Sequence, residues 1–355
     1  MLEACYVSIP NIRLVADCER YHKALLRELE LFESNSLGKH TLRALFLGGD
    51  GARFLSQQGY LDIAGILNKK FHWTDAQVTV EIVITDPTCL RQEGLEFSLE
   101  QVPSVNRFVC DPQCLWQAPA CERKRMVAEL GELLGRWVQA GKIVALDIEI
   151  GRWPEMAWKE LLEIIGIWPV RNVSIYFADE PSELEDDQMS DLFLWAVDEF
   201  ARKGFVWQGT YDFARDIPSV WTAIYAERKA YRGFGAGAWS YDGQIFYGNV
   251  EDVQEYESRI DKGLSPCIAQ YSERVSDKIM RGLSRTGGIS LNEIVQILEK
   301  QQCLVEKHHV AEEILHKVQK LVRMGYLLKV GEHISFTPAG FLLENGIVIQ
   351  LVNGI

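Results

Sequence analysis

Short β-forming runs alternate with helical periodicity through the first half of the chain. Strands are predicted at 6–9, 44–47, 78–84, 106–109, 143–150 and 173–177. Helices between them include 21–32, 126–140 and 158–165. This order is typical of consecutive βα units, which form a parallel sheet. The six units predict an α/β fold with a partial (β/α)6 barrel, whose functional groups should lie at the C-terminal ends of the strands.

The middle of the chain predicts an α+β extension of this barrel. A helix over 188–202 leads into a Trp- and Tyr-rich region, 205–247, and a further helix is predicted over 251–262. The sequence GFGAGAWSYDG occupies 233–243. Its glycines allow tight turns or close approach of another backbone.

The C-terminal part has the pattern of a winged helix. Ser290 and Glu293 have the spacing of a capping box at a helix start. A second amphipathic helix is predicted over 310–324, followed by two short strands around a glycine-containing turn in GYLLKVGEHISF. We therefore expect three domains: a barrel over 1–185, an extension over 186–272 and a winged-helix-like domain over 273–355.

Composition restricts the possible partners. The 355-residue chain has a net charge of −13, which argues against nucleic acid because phosphate binding depends on clustered Lys and Arg. No apolar run reaches the roughly 18–20 residues of a membrane span. The eight cysteines are scattered along a long chain, so reduced thiols are expected. These features predict a soluble, cytoplasmic protein.

Several segments together resemble one known family. They are CYVSIP at 5–10, ALFLGGDGARFLS at 44–56, ALDIEIG at 145–151, GFGAGAWSY at 233–241 and SFTPAGFLL at 335–343. Their order and spacing are similar to those of oxygen-independent coproporphyrinogen III oxidase-like proteins, the radical S-adenosylmethionine branch that includes the haem chaperones. The resemblance spans nearly the whole chain and implies the same barrel, extension and winged-helix-like ending.

The family's iron–sulfur motif has no counterpart in this chain. The family has CxxxCxxC directly after its first strand, where three thiolates hold a four-iron cluster. Here only nine residues separate Pro10 from Arg20, and Cys18 is the one cysteine among them. The resemblance therefore implies a degenerate member without the 4Fe-4S cluster of the usual motif, which puts the family's catalysis in doubt.

Three other cysteines offer an alternative cluster site. Cys110, Cys114 and Cys121 follow the fourth predicted strand, where they would lie near the barrel mouth. They could form a relocated cluster or metal site. They could equally be small buried thiols, which behave as modest hydrophobic residues.

The family's cofactor pocket is matched in part. Gly48 and Gly49 match the glycine loop, which in the family approaches the methionyl amine of S-adenosylmethionine, whereas Asp50 replaces the third glycine. Glu81 and Asp147 match acidic positions on the third and fifth strands, and the resemblance places Asp147 near ribose hydroxyls. The alternative is that both are strand-end carboxylates that face water or pair with arginine. Binding of S-adenosylmethionine therefore stays possible.

The haem-binding motif of the chaperones is also altered. Their HNxxYW-type motif corresponds to a stretch in which Trp221 and Thr222 replace His-Asn, Tyr225 is kept and Ala226 replaces Trp. No histidine lies between residues 73 and 307. Seven of the ten tryptophans lie between residues 153 and 239. They could line a pocket for a flat tetrapyrrole, although core packing and a partner interface explain them more simply.

Two functional hypotheses follow. The leading one is a non-catalytic relative of the family that binds a tetrapyrrole or a protein partner, such as an active homologue. The rival is a working enzyme of tetrapyrrole metabolism that uses S-adenosylmethionine with a relocated cluster at Cys110, Cys114 and Cys121. DNA binding through the winged helix is disfavoured by the acidic charge.

Overall fold

The computed structural model describes residues 2–12, 15–33, 40–90, 99, 102–178, 182–299 and 307–352. The strands are β1 (Leu2–Ser8), β2 (His40–Thr41), β3 (Ala44–Gly48), β4 (Phe71–His72), β5 (Gln77–Val83), β6 (Arg107–Asp111), β7 (Ile143–Ile150), β8 (Asn172–Phe177), β9 (Val206–Trp207), β10 (Asp212–Ala214), β11 (Ala230–Phe234), β12 (Trp239–Tyr241), β13 (Ile245–Asn249), β14 (Cys267–Ser272), β15 (Ile289–Ser290), β16 (Leu327–Val330) and β17 (His333–Phe336).

The α-helices are α1 (Val15–Leu31), α2 (Gln57–Lys70), α3 (Gln113–Trp116), α4 (Ala120–Gln139), α5 (Glu155–Ile165), α6 (Asp186–Arg202), α7 (Val220–Ala226), α8 (Val253–Asp261), α9 (Val275–Ser284), α10 (Leu291–Glu299), α11 (Lys307–Arg323), α12 (Pro338–Phe341) and α13 (Glu344–Val352). Within the described ranges, no helix is long and apolar enough to cross a membrane.

Parallel strands form the centre of the structure. The six strands predicted from the sequence correspond to β1, β3, β5, β6, β7 and β8, which pair in this order and all in parallel. The predicted α/β barrel class is thereby confirmed. A seventh parallel strand, β11, pairs with the other side of β1. It carries Gly233 and Phe234, the first residues of the GFGAGA sequence, so this segment begins as a strand and turns only after it.

Antiparallel strands extend both ends of this parallel core. Strands β12, β13 and β14 continue from β11, and β10 and β9 continue from β8, which gives a twelve-stranded sheet with β14 and β9 at its ends. Residues 206–272 therefore contribute strands to the same sheet as the first half of the chain.

Side-chain alternation gives the parallel sheet two different faces, as β7 shows. Leu146 and Ile148 are buried in the main hydrophobic core together with Leu134 of α4 and Leu161 of α5. Asp147, between them in sequence, points to the opposite face because successive side chains of a strand alternate. The helices thus cover an apolar convex face, and the polar residues are collected on a concave one.

Two of the clustered tryptophans belong to the core under these helices. Trp153 and Trp158 are 2% and 0% exposed, and their rings stack at 5.0 Å. For these two residues, the interpretation as core filling is confirmed.

A buried carboxylate joins α1 to the GFGAGA turn. Glu28 is 4% exposed and accepts hydrogen bonds from the backbone N–H of Gly235 (2.7 Å), from Asn249 Nδ2 (2.9 Å) and from the Tyr256 hydroxyl (2.7 Å). The Arg232 guanidinium lies 3.6 Å away. Because the donors come from the turn after β11, from β13 and from α8, this one side chain connects the extension to the first βα unit.

The C-terminal part has the predicted capping box and the predicted hairpin. The Ser290 hydroxyl accepts from the Glu293 N–H, and the Glu293 carboxylate accepts from the Ser290 N–H, both at 3.1 Å. Strands β16 and β17 form the hairpin around Gly331, and β15 pairs with β17. Helices α9, α10 and α11 accompany this small sheet in a winged-helix-like arrangement.

The C-terminal part docks on the barrel through aromatic and backbone contacts. The Phe341 ring lies 4.9 Å from that of Tyr211 and 6.1 Å from that of Phe193 on α6. Gly209, between β9 and β10, lies so close to Ser284 that a Cβ atom at Gly209 would be 2.1 Å from the Ser284 carbonyl oxygen. The end of α9 is therefore held directly against the barrel.

The Glu28 network predicts a large loss of stability on mutation. Glu28→Ala leaves several buried donors and Arg232 without their acceptor, so the free energy of unfolding should fall by roughly 3–5 kcal/mol. Urea unfolding measures this change. Glu30→Ala, an exposed carboxylate on the same helix, serves as the control and should change stability by under about 0.5 kcal/mol. Equal stability of the two variants would contradict the prediction.

Candidate functional site

The concave face of the sheet borders a cavity of about 640 Å³. Side chains from β1, β3, β5, β6, β7 and β8 form its floor, and α7 and residues 285–288 contribute to its walls. This volume lies within the ~300–1,000 Å³ range of small-molecule sites. The cavity is the candidate functional site because strands, extension and C-terminal part all contribute to it.

Half-buried carboxyl groups are the main polar feature of the floor. Glu81 on β5 and Asp147 on β7 both face the cavity. Burial, with a smaller contribution from the nearby Glu81 carboxylate, raises the pKa of Asp147 to about 8. Burial also raises the pKa of Glu81, against the effect of a hydrogen bond from Gly49. Carboxyl groups whose pKa is raised in this way favour a ligand that brings hydrogen-bond donors or positive charge, because either one stabilises their ionised form.

A third carboxylate, Asp212, is held by hydroxyl groups. Ser174 on β8 donates to Asp212 Oδ1 at 2.8 Å, and Thr210 donates to Oδ2 at 2.7 Å. Asp212 lies on β10, which pairs antiparallel with β8 so that Asp212 is directly opposite Ser174. The pairing therefore brings a residue of the extension into the barrel floor.

Arg107 supplies positive charge to the same floor. Its guanidinium makes long hydrogen bonds of 3.4 Å to Thr79 and to Asn172, while its buried Nε atom has no partner among the described residues. Burial lowers the pKa of Arg107 to about 10, whereas Asp147 and Asp212 favour its charged form. Arg107 thus places one positive charge beside these two carboxyl groups of the floor.

Aromatic rings form another part of the wall. Tyr6 on β1 and Phe46 on β3 stack at 5.8 Å, and Trp221 of α7 lies 5.7 Å from each of them. Trp221 and Thr222 stand where the haem chaperones that this chain resembles have His-Asn, and Trp221 takes the place of the histidine. The structure therefore places an apolar ring, rather than an imidazole, at this position of the cavity.

The predicted cofactor-binding residues occupy two different places. Glu81 and Asp147 line the cavity, whereas Gly48, Gly49 and Asp50 lie beside it. The Gly49 N–H donates to Glu81 Oε2 at 2.6 Å, and Gly49 has a φ of +99° that favours glycine. Asp50 is exposed, and its charge raises the pKa of Glu81. The loop is thus connected to the floor through Glu81.

The three cysteines of the alternative cluster site are not brought together. Cys110 and Cys114 are buried in the hydrophobic core, whereas Cys121 is exposed at the start of α4. Burial raises the pKa of Cys110 well above its usual value, which disfavours the thiolate that iron requires. In the part of the chain that the structure describes, no group of three or more His, Cys, Asp or Glu residues is arranged to hold a metal ion. These thiols do not fit an iron–sulfur cluster.

S-adenosylmethionine fits the residues better than the cluster does. It offers an ammonium group, a sulfonium charge and ribose hydroxyls, all of which suit buried carboxylates. Glu81 and Asp147 supply such carboxylates in the cavity. The hydrogen-bonding groups of the floor are therefore compatible with this ligand.

Sequence reasoning missed other residues of the site. The period-two alternation of β6 and β8 would have indicated Arg107 and Ser174, because Phe108 and Val173 beside them are apolar. Asp212 and Arg285 carry no such signal, since β10 is short and Arg285 lies outside the predicted barrel. Their place in the cavity depends on tertiary contacts alone.

Comparisons with known proteins agree with the resemblance seen in the sequence. No protein-family model matches the chain. In an alignment of length 356 the chain is 21% identical to the haem chaperone HemW of Lactococcus lactis, and the alignment covers 93% of this chain and 88% of HemW. Coproporphyrinogen III oxidase (HemN) from Escherichia coli, a radical SAM enzyme, superposes with a TM-score of 0.73 at 16% identity, covering 100% of this chain and 91% of HemN. The structural likeness shows the fold, and the two comparisons together confirm the resemblance to the HemN-like family.

The raised pKa of Asp147 predicts a pH-dependent stability. Its pKa rises from 3.8 to about 8 on folding, so folding takes up a proton between these values and stability falls as the pH rises through them. Asp147→Asn should reduce this fall by at least ~1.4 kcal/mol, the equivalent of one pKa unit. Urea unfolding at about pH 5 and about pH 8 measures the effect.

The control for this prediction is Asp261→Asn, which removes an exposed carboxylate at the end of α8. Its stability should follow the wild-type pH profile. If Asp147→Asn followed that profile too, Asp147 would not be the buried acid that the fold indicates.

Proposed function

We propose that this chain is a non-catalytic relative of the coproporphyrinogen III oxidase and haem chaperone proteins, and that it acts by binding a tetrapyrrole in the concave cavity. The observation that carries the proposal is the composition of the cavity wall. Aromatic rings and half-buried carboxyl groups line it, and its described lining residues include neither cysteine nor histidine. Such a wall suits binding and lacks the usual ligands of iron.

The aromatic part of the wall supports a flat ligand. Tyr6, Phe46 and Trp221 lie within 5.8 Å of one another, centroid to centroid. A macrocycle placed against such rings gains about 0.5–1.5 kcal/mol per ring pair in addition to the burial of its area. Tyr225, which the chaperone motif also has, lines the same cavity.

The polar floor supports a ligand that carries N–H donors. Glu81 and Asp147 can accept hydrogen bonds from pyrrole N–H groups, or from the ammonium and hydroxyl groups of S-adenosylmethionine. We include S-adenosylmethionine as a possible second ligand of this floor. We do not propose its radical cleavage, because the described residues offer no fitting site for the electron-donating cluster.

The rival hypothesis of a working enzyme receives no structural support from its cysteines. It requires Cys110, Cys114 and Cys121 to share one cluster, whereas Cys121 is exposed and the other two are enclosed in the core. Bringing them together would require rearrangement of the segment around α3 and the start of α4.

A protein partner is the second candidate target. Strand β14 forms one end of the large sheet, and Ile268 and Tyr271 on it are 57% and 50% exposed. An exposed edge strand with apolar side chains offers unpaired backbone groups to another chain. A partner strand could extend the sheet at this edge, independently of any ligand in the cavity.

Iron reconstitution tests the absence of radical chemistry. We expect anaerobic incubation with iron and sulfide to leave the desalted protein colourless and without a stoichiometric cluster, since the described residues offer no fitting ligand set. Absorption spectra and an iron determination are the measurements. A brown protein with about four irons per chain, lost in Cys110→Ala, would support the rival enzyme instead.

Titration with coproporphyrin III tests the binding function. We expect saturable quenching of tryptophan fluorescence and a shift of the Soret band in the wild type. Trp221→Ala should weaken binding about tenfold, the equivalent of ~1.4 kcal/mol, because one stacking ring is lost. Trp239→Ala is the matched control, since Trp239 is 37% exposed and contacts the Tyr271 ring edge to face outside the cavity. No binding by the wild type would overturn the proposed tetrapyrrole function.

A further inference from the structure

A second cavity lies apart from the concave face, between α1 and α2, and we call it the α1–α2 groove. Its volume is about 400 Å³, and it shares no lining residue with the concave cavity. Its wall is mostly apolar, with side chains that include Ile9, Ile12, Leu25, Phe54 and Leu55. Such a wall favours an apolar ligand, because burial of apolar surface contributes about 25 cal/mol per Å².

Three side chains capable of nucleophilic and acid–base chemistry line this groove. Cys18 is an exposed free thiol, and its Sγ atom donates a hydrogen bond to the Ile12 carbonyl at 3.3 Å. His22 and Asp62 line the same groove, with 3.4 Å between Nε2 and Oδ2. Within the described chain no group of three or more His, Cys, Asp or Glu residues is arranged to hold a metal ion, so chemistry of another kind has to explain this set.

Helix geometry brings the thiol and the imidazole onto one face of α1. Residues four apart on an α-helix are neighbours, with about 5–6 Å between their Cβ atoms. Helical side chains also lean toward the N-terminus of their helix, so the His22 ring leans toward Cys18. Because an ionised Asp62 accepts the proton of Nε2, Nδ1 is the ring nitrogen left to accept the proton of the thiol.

The first turns of α2 hold the carboxylate in place. Gln58 Nε2 donates to Asp62 Oδ1 at 2.7 Å. Helix α2 packs directly on His22 here, since a Cβ atom at Gly59 would lie 3.5 Å from the ring atom Cε1. The Ser56 hydroxyl caps α2 by accepting from the Gly59 N–H at 3.0 Å, and the positive end of the helix dipole borders the groove. A thiol, an imidazole and an orienting carboxylate are together the groups of nucleophilic acyl transfer.

We propose that Cys18 accepts apolar acyl groups from thioesters, with His22 as the base and Asp62 as the residue that orients it. His22 takes the thiol proton, the Cys18 sulfur attacks the carbonyl carbon, and the bond from that carbon to the donor sulfur breaks. His22 then returns the proton to the departing thiolate, so the products are S-acyl Cys18 and the free donor thiol. The step needs no oxidant or reductant. The acyl chain lies in the α1–α2 groove, and the inference does not depend on the proposed tetrapyrrole function.

Incubation of the full-length protein with octanoyl-coenzyme A or acetyl-coenzyme A tests this inference. Intact-protein mass spectrometry with peptide mapping measures the rate at each cysteine. We expect Cys18 to take the octanoyl group at least about tenfold faster than the acetyl group, which corresponds to burial of about two of the additional methylenes. Cys121, an exposed thiol at the start of α4 and outside the groove, is the internal control and should react at least about tenfold more slowly.

Variants of the imidazole and the carboxylate separate chemistry from structure. His22→Ala should slow octanoyl transfer by about 10²-fold, the usual contribution of a general base, and added imidazole should restore part of the rate. A merely structural role for His22 would not respond to imidazole. Asp62→Asn should slow the wild type but have no effect in the His22→Ala background, because Asp62 acts through His22.

A variant of the wall tests the place of the acyl chain. Phe54, which lines the groove, is 63% exposed, so Phe54→Ala should reduce the preference for octanoyl over acetyl and leave the acetyl rate unchanged. Leu61→Ala is the matched control, because Leu61 is 48% exposed on α2 and does not line the groove. Equal rates at Cys18 and Cys121, equal rates with the two donors, or a wild-type rate in His22→Ala would each overturn the inference and leave the proposed function standing.

Discussion

Each parallel strand of this protein has to satisfy two different environments at once. Its convex side packs against helices and must be apolar, whereas its concave side faces a cavity and can carry charge. On β7 this requirement produces Leu146 and Ile148 on one side and Asp147 on the other. Because the convex core supplies the stability, the concave face can retain half-buried carboxyl groups whose pKa values are raised by their surroundings.

The parts that follow the barrel turn this open concave face into an enclosed site. Glu28 connects α1 to the GFGAGA turn and so positions β11 as the seventh parallel strand. Helix α7, between β10 and β11, then presents Trp221 to Tyr6 and Phe46. The C-terminal part, held by Gly209 and Phe341, brings Arg285 to the rim. Sequentially distant segments therefore determine the ligand that the barrel can hold.

The pattern of kept and altered residues supports the proposed binding function. The floor keeps Glu81 and Asp147, which suit hydrogen-bond donors of a ligand. Cys18, which lies on α1, is the one cysteine between Pro10 and Arg20, where the family has three, and the chaperone's His-Asn positions hold Trp221 and Thr222. Binding requires a cavity of suitable shape and hydrogen-bond partners for the polar atoms of the ligand, and this cavity supplies both. Radical chemistry additionally requires a cluster, for which the described residues offer no fitting thiols.

The sequence by itself determined the order of βα units, because the period of apolar residues reports which side of each strand or helix is buried. It also indicated the capping box at Ser290, the hairpin around Gly331 and the acidic residues Glu81 and Asp147. Local pattern could not indicate that β11 joins the parallel sheet or that Asp212 faces Ser174, since strand pairing depends on long-range contacts. The place of Arg285 in the cavity, and the separation of Cys121 from Cys110 and Cys114, were likewise decided only by tertiary packing. Spacing along a chain does not fix distance in space, because the direction of each side chain is set by the element that carries it.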